Sequence, residues 1–310
     1  MASKNLKLAL VREPEATGRV KEIFEELKQT LGIPLVPILY KAYAVYPKFL
    51  SRHWQAFKPL LLTEEFFDLC ERLRADAYTR VHGYLKVPNL RSAMDSEQLS
   101  SGARHELIQE VELLYFLDEP VLLVSAIQMQ AFDGPIGRTA RTHSAGRVPM
   151  FPRPVVVEEN TAPPQTRKIY EEIKQVFSTP ALNLDYRILA RWPDFLNDYW
   201  NALKPTVTSP IYQQSAQRVQ QTALSLARDI PIPIELTLAE LEDAGVGHSD
   251  LLRIVQITER FVHIFSALML NVAIAKIGLE GGNGLSAHLP SDDSTVGPDQ
   301  KRRTEPHRAA

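Results

Sequence analysis

The sequence predicts an all-α protein made of two tandem helical repeats, and three observations support this. First, Ile23–Pro59 and Ile169–Pro205 align without a gap at an offset of 146, and 15 of the 37 positions are identical. Average residue usage would give about two or three identities. Second, apolar residues recur at helical spacing in both copies. Third, no stretch alternates apolar and polar residues between turn signals, as strands do. We expect the repeats to pack as an intramolecular pseudo-two-fold dimer joined by a long Pro-rich linker.

The helices of each repeat follow from apolar spacing and from prolines. Residues 23–31 carry the apolar face of a first helix. Pro34, like its counterpart Pro180, suits the first turn of a second helix, where a missing N–H costs nothing. Pro47 ends or kinks that helix, and Pro59 ends a third. Further helices are expected at Glu64–Val81, at Gly102–Gln130 with an interruption at Pro120, at Ile211–Ala227 and at Ser249–Ile277.

Composition divides the chain into four parts: repeats at residues 1–132 and 166–282, a linker at 133–165 and a tail at 283–310. The linker holds six prolines, which is typical of an extended connection that wraps the surface or shapes a site. Three prolines and few apolar residues predict a disordered tail. Four linker arginines without an intervening acid either bind a carboxylate or form a solvated basic loop. They are Arg138, Arg141, Arg147 and Arg153.

Charge and cysteine content exclude several classes of protein. The 35 Lys and Arg residues against 37 Asp and Glu give a net charge of −2, which argues against a general nucleic-acid binder. Cys70 alone excludes an intramolecular disulfide and a Cys-rich zinc site. No H-E-x-x-H motif and no paired spacing occurs among the histidines, so we expect no metal site. Residues 261–275 are too short for a membrane span, and the first twenty residues lack a signal peptide. We expect a cytoplasmic protein with no membrane partner.

The candidate site residues emerge where the two repeats differ. Among core-facing positions, three aligned pairs are not conservative: Pro37 and Asn183, Leu39 and Asp185, and Val45 and Arg191. Asp185 has apolar neighbours, and a carboxylate held in an apolar cavity suits a general base that acts on water. Alternatively, Asp185 is a first-turn residue stabilised by the helix dipole, or it pairs with Arg187 or Arg191. Asn183 is either a helix N-cap or an amide that binds water or a substrate oxygen.

Several segments resemble the group I 2-haloacid dehalogenases, which comprise the D-specific and the D,L-2-haloacid dehalogenases. They are Asn183–Arg187, Leu189–Pro193 and Lys204–Pro205 in the second repeat, Pro34 and Pro47 in the first, and Pro135–Gly137 at the start of the linker. The resemblance spans roughly residues 18–280 and is most specific in the second repeat.

The resemblance implies an all-α pseudo-dimer with the active site between its repeats. The catalytic aspartate of the family falls on Asp185, which would activate a water that displaces halide from C2 of a 2-halocarboxylate. This reaction inverts the configuration, forms no covalent ester and uses no metal or organic cofactor. Asn183 is similar to the residue that D-selective members carry two positions earlier. A small-molecule partner is therefore expected, and the pattern leaves a homodimer open.

The sequence also departs from the family at three places around the expected site. The Asn-Pro-x-Tyr element is absent, since the corresponding stretch reads Leu117–Pro120. Leu184 stands where the family often has a small or polar residue, and Leu35 and Ile38 replace an aromatic pair on the halide side. Leu184, Leu35 and Ile38 are thus expected to line the substrate site together with Asn183.

Two alternatives to a dehalogenase stay open at this point. One is a non-catalytic binding protein, or a hydrolase of another small carboxylate, that kept the fold and lost or changed the site. The other is a helical enzyme similar to carboxymuconolactone decarboxylases and alkyl hydroperoxidases. The redox version of that enzyme needs a cysteine pair, and Cys70 is the only cysteine in the sequence.

Overall fold

The computed structural model describes residues 8–96, 99–138, 150–179 and 182–284. Within these ranges the regular structure is helical, apart from one antiparallel bridge between Ile136 and Ile234. Six α-helices precede the linker: α1 Gly18–Leu31, α2 Ile38–Tyr43, α3 Pro47–Leu61, α4 Glu64–Tyr84, α5 Arg91–Ser96 and α6 Ser101–Ala131. Six follow it: α7 Pro164–Val176, α8 Leu184–Leu189, α9 Pro193–Val207, α10 Pro210–Leu226, α11 Leu238–Asp243 and α12 His248–Glu280. The predicted all-α class is confirmed.

Helices α6 and α12 form the centre of the fold. They contain 31 and 33 residues and pack against one another, and α4 and α10 pack against both. Residues 113–128 of α6 are buried on every face of the helix, as in the interior of a large core. The most apolar window of α12 is long and hydrophobic enough to span a membrane, but 78% of it is buried inside the protein. Both repeats therefore contribute to one continuous core.

Equivalent contacts recur in the two repeats at the sequence offset of 146. In each repeat, a glutamate of the first helix accepts hydrogen bonds from a tryptophan and a lysine of the third. The sets are Glu26 with Trp54 and Lys58, both at 2.7 Å, and Glu172 with Trp200 and Lys204, at 3.2 and 2.8 Å. Thr63 and Ser209 likewise cap α4 and α10, each accepting a backbone N–H at 3.3 Å. These contacts support the repeat, whereas the pseudo-two-fold relation stays a prediction.

The expected roles of three prolines were wrong. Pro34 lies in a bend, because Val36 precedes Pro37 and is pushed away from helical geometry, so that α2 begins only at Ile38. Helix α3 continues through Pro59 to the buried Leu61. Helix α6 likewise runs uninterrupted through Pro120, which is fully enclosed in the core. At both sites, packing of the surrounding apolar residues offsets the hydrogen bond that proline cannot donate. Pro180 lies outside the described residues.

Backbone hydrogen bonds join the linker to the second repeat at several points. Ile136 pairs with Ile234 through N–H···O bonds of 3.1 and 2.8 Å. Farther along the chain, the Val157 amide donates to the Arg187 carbonyl at 2.9 Å, which joins the linker to the end of α8. Linker residues 139–149 and tail residues 285–310 lie outside the described residues, so the predicted boundaries and the predicted disorder of the tail stay predictions.

Candidate active site

A cavity of about 570 Å³ lies where both repeats meet the N-terminal segment and the linker. Its walls come from α2, α6, α8 and α12 and from the loops that precede α2 and α7. All the residues predicted from the sequence to form the site line it, namely Asp185, Asn183, Leu184, Leu35 and Ile38. The structure thus brings into one cavity residues from the two repeats that lie about 150 positions apart in the sequence.

Asp185 sits in the first turn of α8, and only 6% of its surface is exposed. Its Oδ2 atom is buried and accepts no hydrogen bond within the described part of the chain. Burial raises the pKa of Asp185 to about 7, although its own backbone N–H and the charge of Arg187 act in the opposite direction. Its counterpart Leu39 is completely buried in α2. Asp185 therefore occupies a position that the other repeat fills with an apolar side chain.

The two arginines that were alternative partners of Asp185 bind other acids. Arg187 donates to Glu158 of the linker at 2.8 Å. Arg191 donates to Glu106 of α6 at 2.5 Å and lies over the Trp192 ring at 5.1 Å. The carboxylate of Asp185 thus has no direct ion pair among the described residues, and its environment is that of a buried proton acceptor.

Tyr186, and not Asn183, holds α8 in place. Asn183 occupies the N-cap position, yet its side chain makes no capping hydrogen bond and instead lines the cavity. Tyr186 points to the opposite side, where its hydroxyl accepts a hydrogen bond from Asn271 of α12 at 3.2 Å. The Asn271 side-chain oxygen in turn accepts one from Tyr212 at 2.7 Å. These buried contacts fix the helix from which Asp185 enters the cavity.

Sequence reasoning missed Asp118, a second buried carboxyl group in the same cavity. Asp118 belongs to α6, is 3% exposed, and its Oδ2 atom has no hydrogen-bond partner in the described part of the chain. Its pKa lies well above the ordinary aspartate value, because burial disfavours the charge and because Asp185 and Glu119 are like charges nearby. In the sequence, Leu117–Pro120 is distinguished only by Pro120 and by the absence of an Asn-Pro-x-Tyr element, and neither feature marks Asp118 as a site residue.

The remaining walls divide into an apolar part and a charged rim. Apolar side chains form the former, among them Leu117 and Val121 of α6 and Phe265 and Leu268 of α12. The rim carries four cations and two acids: Arg12, Lys41, Arg153, Arg187, Glu13 and Glu158. The Glu13 side chain bonds Lys41 at 3.1 Å and accepts the Val36 amide at 3.2 Å. Burial raises its pKa, but these partners outweigh that effect and lower it below the usual value.

The four linker arginines have different surroundings. Arg153 lines the cavity, is exposed, and forms no ion pair with a described residue. Arg138 instead donates to Asp229 at 2.7 Å, away from the cavity lining. Arg141 and Arg147 lie outside the described residues. Of the two arginines that can be placed, one therefore belongs to the site.

Other chemically reactive groups lie outside this cavity. Cys70 is buried in α4, and burial raises the pKa of its thiol well above the usual value, which disfavours the nucleophilic thiolate. His53 is a core residue whose Nδ1 bonds the Gln128 side chain at 2.8 Å. Across the described ranges, no group of three or more His, Cys, Asp or Glu side chains is placed to hold a metal ion.

Comparison with known proteins places these residues in a wider context. The family model described as halocarboxylic acid dehydrogenase DehI matches residues 34–186, a range that contains Leu35, Ile38, Asp118 and Asp185. The (R)-2-haloacid dehalogenase of Pseudomonas putida is 29% identical over 272 residues, covering 84% of this chain and 89% of that protein. The (R)-2-haloacid dehalogenase of Rhizobium sp. (strain NHG3) is 27% identical over 229 residues, covering 73% and 89%.

A solved structure shares the fold. The complex of a D-2-haloacid dehalogenase mutant with D-2-CPA superposes with a TM-score of 0.82, covering 88% of this chain and 96% of that one at 23% identity. The arrangement of helices described above is therefore one that has been observed in another protein.

The raised pKa of Asp185 predicts a pH-dependent stability. Folding favours the neutral form of Asp185. The contribution of this group to the unfolding free energy is therefore complete below its ordinary pKa of 3.8, and it is lost as the pH rises to about 7. Relative to Asp185→Asn, the wild-type protein should lose up to about 1.4 kcal/mol of unfolding free energy per pH unit over this window. Urea unfolding of both proteins at a series of pH values measures this difference. Parallel curves would contradict a raised pKa at Asp185.

Proposed function

Because the chain belongs to the DehI family of group I 2-haloacid dehalogenases, we propose that it is a hydrolase that releases halide from small 2-haloalkanoic acids. The observation that carries this proposal is the buried carboxyl group of Asp185, which faces a cavity without an ion pair or a hydrogen-bond partner for Oδ2 in the described part of the chain. The cavity volume of about 570 Å³ suits a small organic acid with accompanying water.

Asp185 acts as the general base in the proposed reaction. A water molecule in the cavity gives a proton to the Asp185 carboxylate while its oxygen forms a bond to C2 of the substrate. The bond between C2 and the halogen breaks at the same time, and halide leaves with the electron pair. Attack opposite the leaving group inverts C2 and yields a 2-hydroxy acid. Water is the only co-reactant that this step needs, so no cofactor enters it.

In the proposed complex, the apolar part of the cavity contacts the halogen and the charged rim binds the carboxylate. The side chains of Leu35, Ile38 and Leu184 surround the weakly hydrated halogen, where an apolar contact costs little desolvation. The cationic rim attracts the substrate carboxylate. Lys41 and Arg187 already pair with acids of the rim, and Arg12 pairs with Glu15. This leaves Arg153 as the rim cation with no described ion-pair partner. We assign Arg153 to the substrate carboxylate and Asn183 to a substrate oxygen or to the attacking water.

Substitution of Asp185 tests the base directly. Asp185→Asn cannot accept a proton, so turnover of D-2-chloropropionate should fall by at least about a hundredfold. Below about pH 4 the stability of the variant should match that of the wild type, and above about pH 7 the variant should be the more stable protein, because a buried charge is removed. Halide release followed by ion chromatography gives the rate, and urea unfolding gives the stability.

Asp198→Asn is the matched control, since it makes the same chemical change at an exposed position of the neighbouring helix α9. Its rate should equal that of the wild type. Full activity in Asp185→Asn would remove Asp185 from the mechanism. Tight binding of the acid by the wild type without halide release would instead support a non-catalytic binding protein.

Recognition of the substrate carboxylate gives a second test. Arg153→Gln should raise KM for D-2-chloropropionate about fivefold or more, the loss expected for a charge-assisted hydrogen bond, and leave kcat nearly unchanged. Arg138→Gln removes the same charge from the linker outside the cavity lining. It should therefore leave KM unchanged. Equal effects of the two substitutions would show that the net charge of the linker acts, and not a contact made by Arg153.

A further inference from the structure

The Asp118 carboxyl group has no part in the reaction as proposed, yet its position is unfavourable for a charge. It lies in the middle of the 31-residue helix α6, is almost fully buried, and lines the same cavity as Asp185. The Oδ2 atoms of both residues lack a hydrogen-bond partner within the described ranges. Two acids that enter one low-dielectric cavity without a cation between them cannot both ionise at neutral pH.

The two positions differ in how well they stabilise a negative charge. Asp185 is at the first turn of α8, where its own backbone N–H and the charge of Arg187 favour ionisation. Asp118 lies inside a helix whose surrounding N–H groups are used in helical hydrogen bonds. The charged groups that act on it are Asp185 and Glu119, both acids. Asp185 is therefore the first of the pair to lose its proton.

Other charged groups around the pair leave this order unchanged. Glu119 points from α6 toward α4, where Arg74 lies 3.6 Å from its carboxylate. Helix α12 contributes apolar side chains to the cavity, Phe265 and Leu268. The cations and acids of the rim come from the N-terminal segment, α2, the linker and α8: Arg12, Glu13, Lys41, Arg153, Glu158 and Arg187.

We propose that Asp118 and Asp185 form a carboxyl pair that holds a single proton in the substrate-free enzyme at pH 8, with Asp118 neutral while Asp185 carries the charge. This inference rests on the proposed function only in that Asp185 is the base. Asp118 is then a positioning residue, which acts on the substrate through the charge of the cavity and through the proton affinity of Asp185.

The pair controls whether an anionic substrate can enter. With Asp118 neutral, Arg153 of the cavity lining has no described acidic partner and can bind a substrate carboxylate. With Asp118 ionised, a second negative charge would repel both the substrate carboxylate and the departing halide. It would also draw a proton back to Asp185 and remove the base. The single proton on Asp118 is therefore what makes the cavity selective for a small anion.

Infrared spectroscopy of the full-length protein tests the pair without relying on activity. At pH 8, the spectrum of the wild type minus that of Asp118→Asn should contain the carbonyl stretch of a protonated carboxylic acid. At pH 8, the spectrum of the wild type minus that of Asp185→Asn should show the bands of an ionised carboxylate. At pH 5, the same difference should show the acid band. The control Asp198→Asn, at an exposed position of α9, should leave the acid band of Asp118 unchanged.

The coupling itself has a separate readout. In Asp185→Asn, the Asp118 band should disappear at a pH at least about one unit lower than in the wild type, because the neighbouring charge is gone. An unshifted midpoint, or an ionised Asp118 at pH 8, would overturn the pair. If Asp118→Asn does not fold, carbon-13 NMR of wild-type protein labelled at the aspartate carboxyl carbon gives the same information. Two resonances that titrate far above the ordinary aspartate range would support the pair, and none or one would overturn it.

The proposed function and the pair fail independently. An acid band of Asp118 in a protein that releases no halide would sustain the pair and reject the dehalogenase. Halide release that depends on Asp185 in a protein whose Asp118 is ionised at pH 8 would sustain the dehalogenase and reject the pair.

Discussion

The burial of two carboxyl groups in one cavity is the constraint on which the site depends. Asp118 and Asp185 are both removed from water, and neither has an ion pair among the described residues. Burial of an ionised carboxyl group costs free energy, so such groups tend to stay protonated. Groups with a strongly raised pKa in a cavity are typical of functional sites. A raised proton affinity at Asp185 is what a base needs to take a proton from water near neutral pH. The chemistry of the site thus follows directly from the burial of these two carboxyl groups.

The scaffold that maintains this burial is the repeated part of the molecule. The glutamate, tryptophan and lysine contacts of α1 with α3 recur in α7 with α9, and the caps of α4 and α10 also correspond. The site arises where this correspondence fails, because Asp185 takes the place of the buried Leu39. The linker completes the enclosure, since its Val157 amide binds the end of α8 and Arg153 stands at the rim. The recurring contacts form the scaffold, and the difference between Leu39 and Asp185 places the reactive carboxyl group in it.

How much of this could be predicted from the sequence depends on local pattern. Asp185 was identifiable because a gapless alignment set it against Leu39. Asp118 lies outside the aligned segments, and α6 is buried on all faces, so its sequence has no apolar period that would reveal which side faces a cavity. Only the packing of α6 beside α8 brings the two acids together. Pro59 and Pro120 were misjudged for a similar reason, because tertiary packing outweighed a local preference.

In the proposed reaction, Asp185 activates water and forms no covalent bond to the substrate. The test is a single turnover of D-2-chloropropionate by excess enzyme in water enriched in oxygen-18. Mass spectrometry then locates the label in the product and in the peptide that contains Asp185. Direct attack of water on C2 should place one heavy oxygen in the 2-hydroxy acid and none in the peptide. Heavy oxygen in the Asp185 carboxyl group would contradict it, because only hydrolysis of an ester to that carboxylate would place the label there.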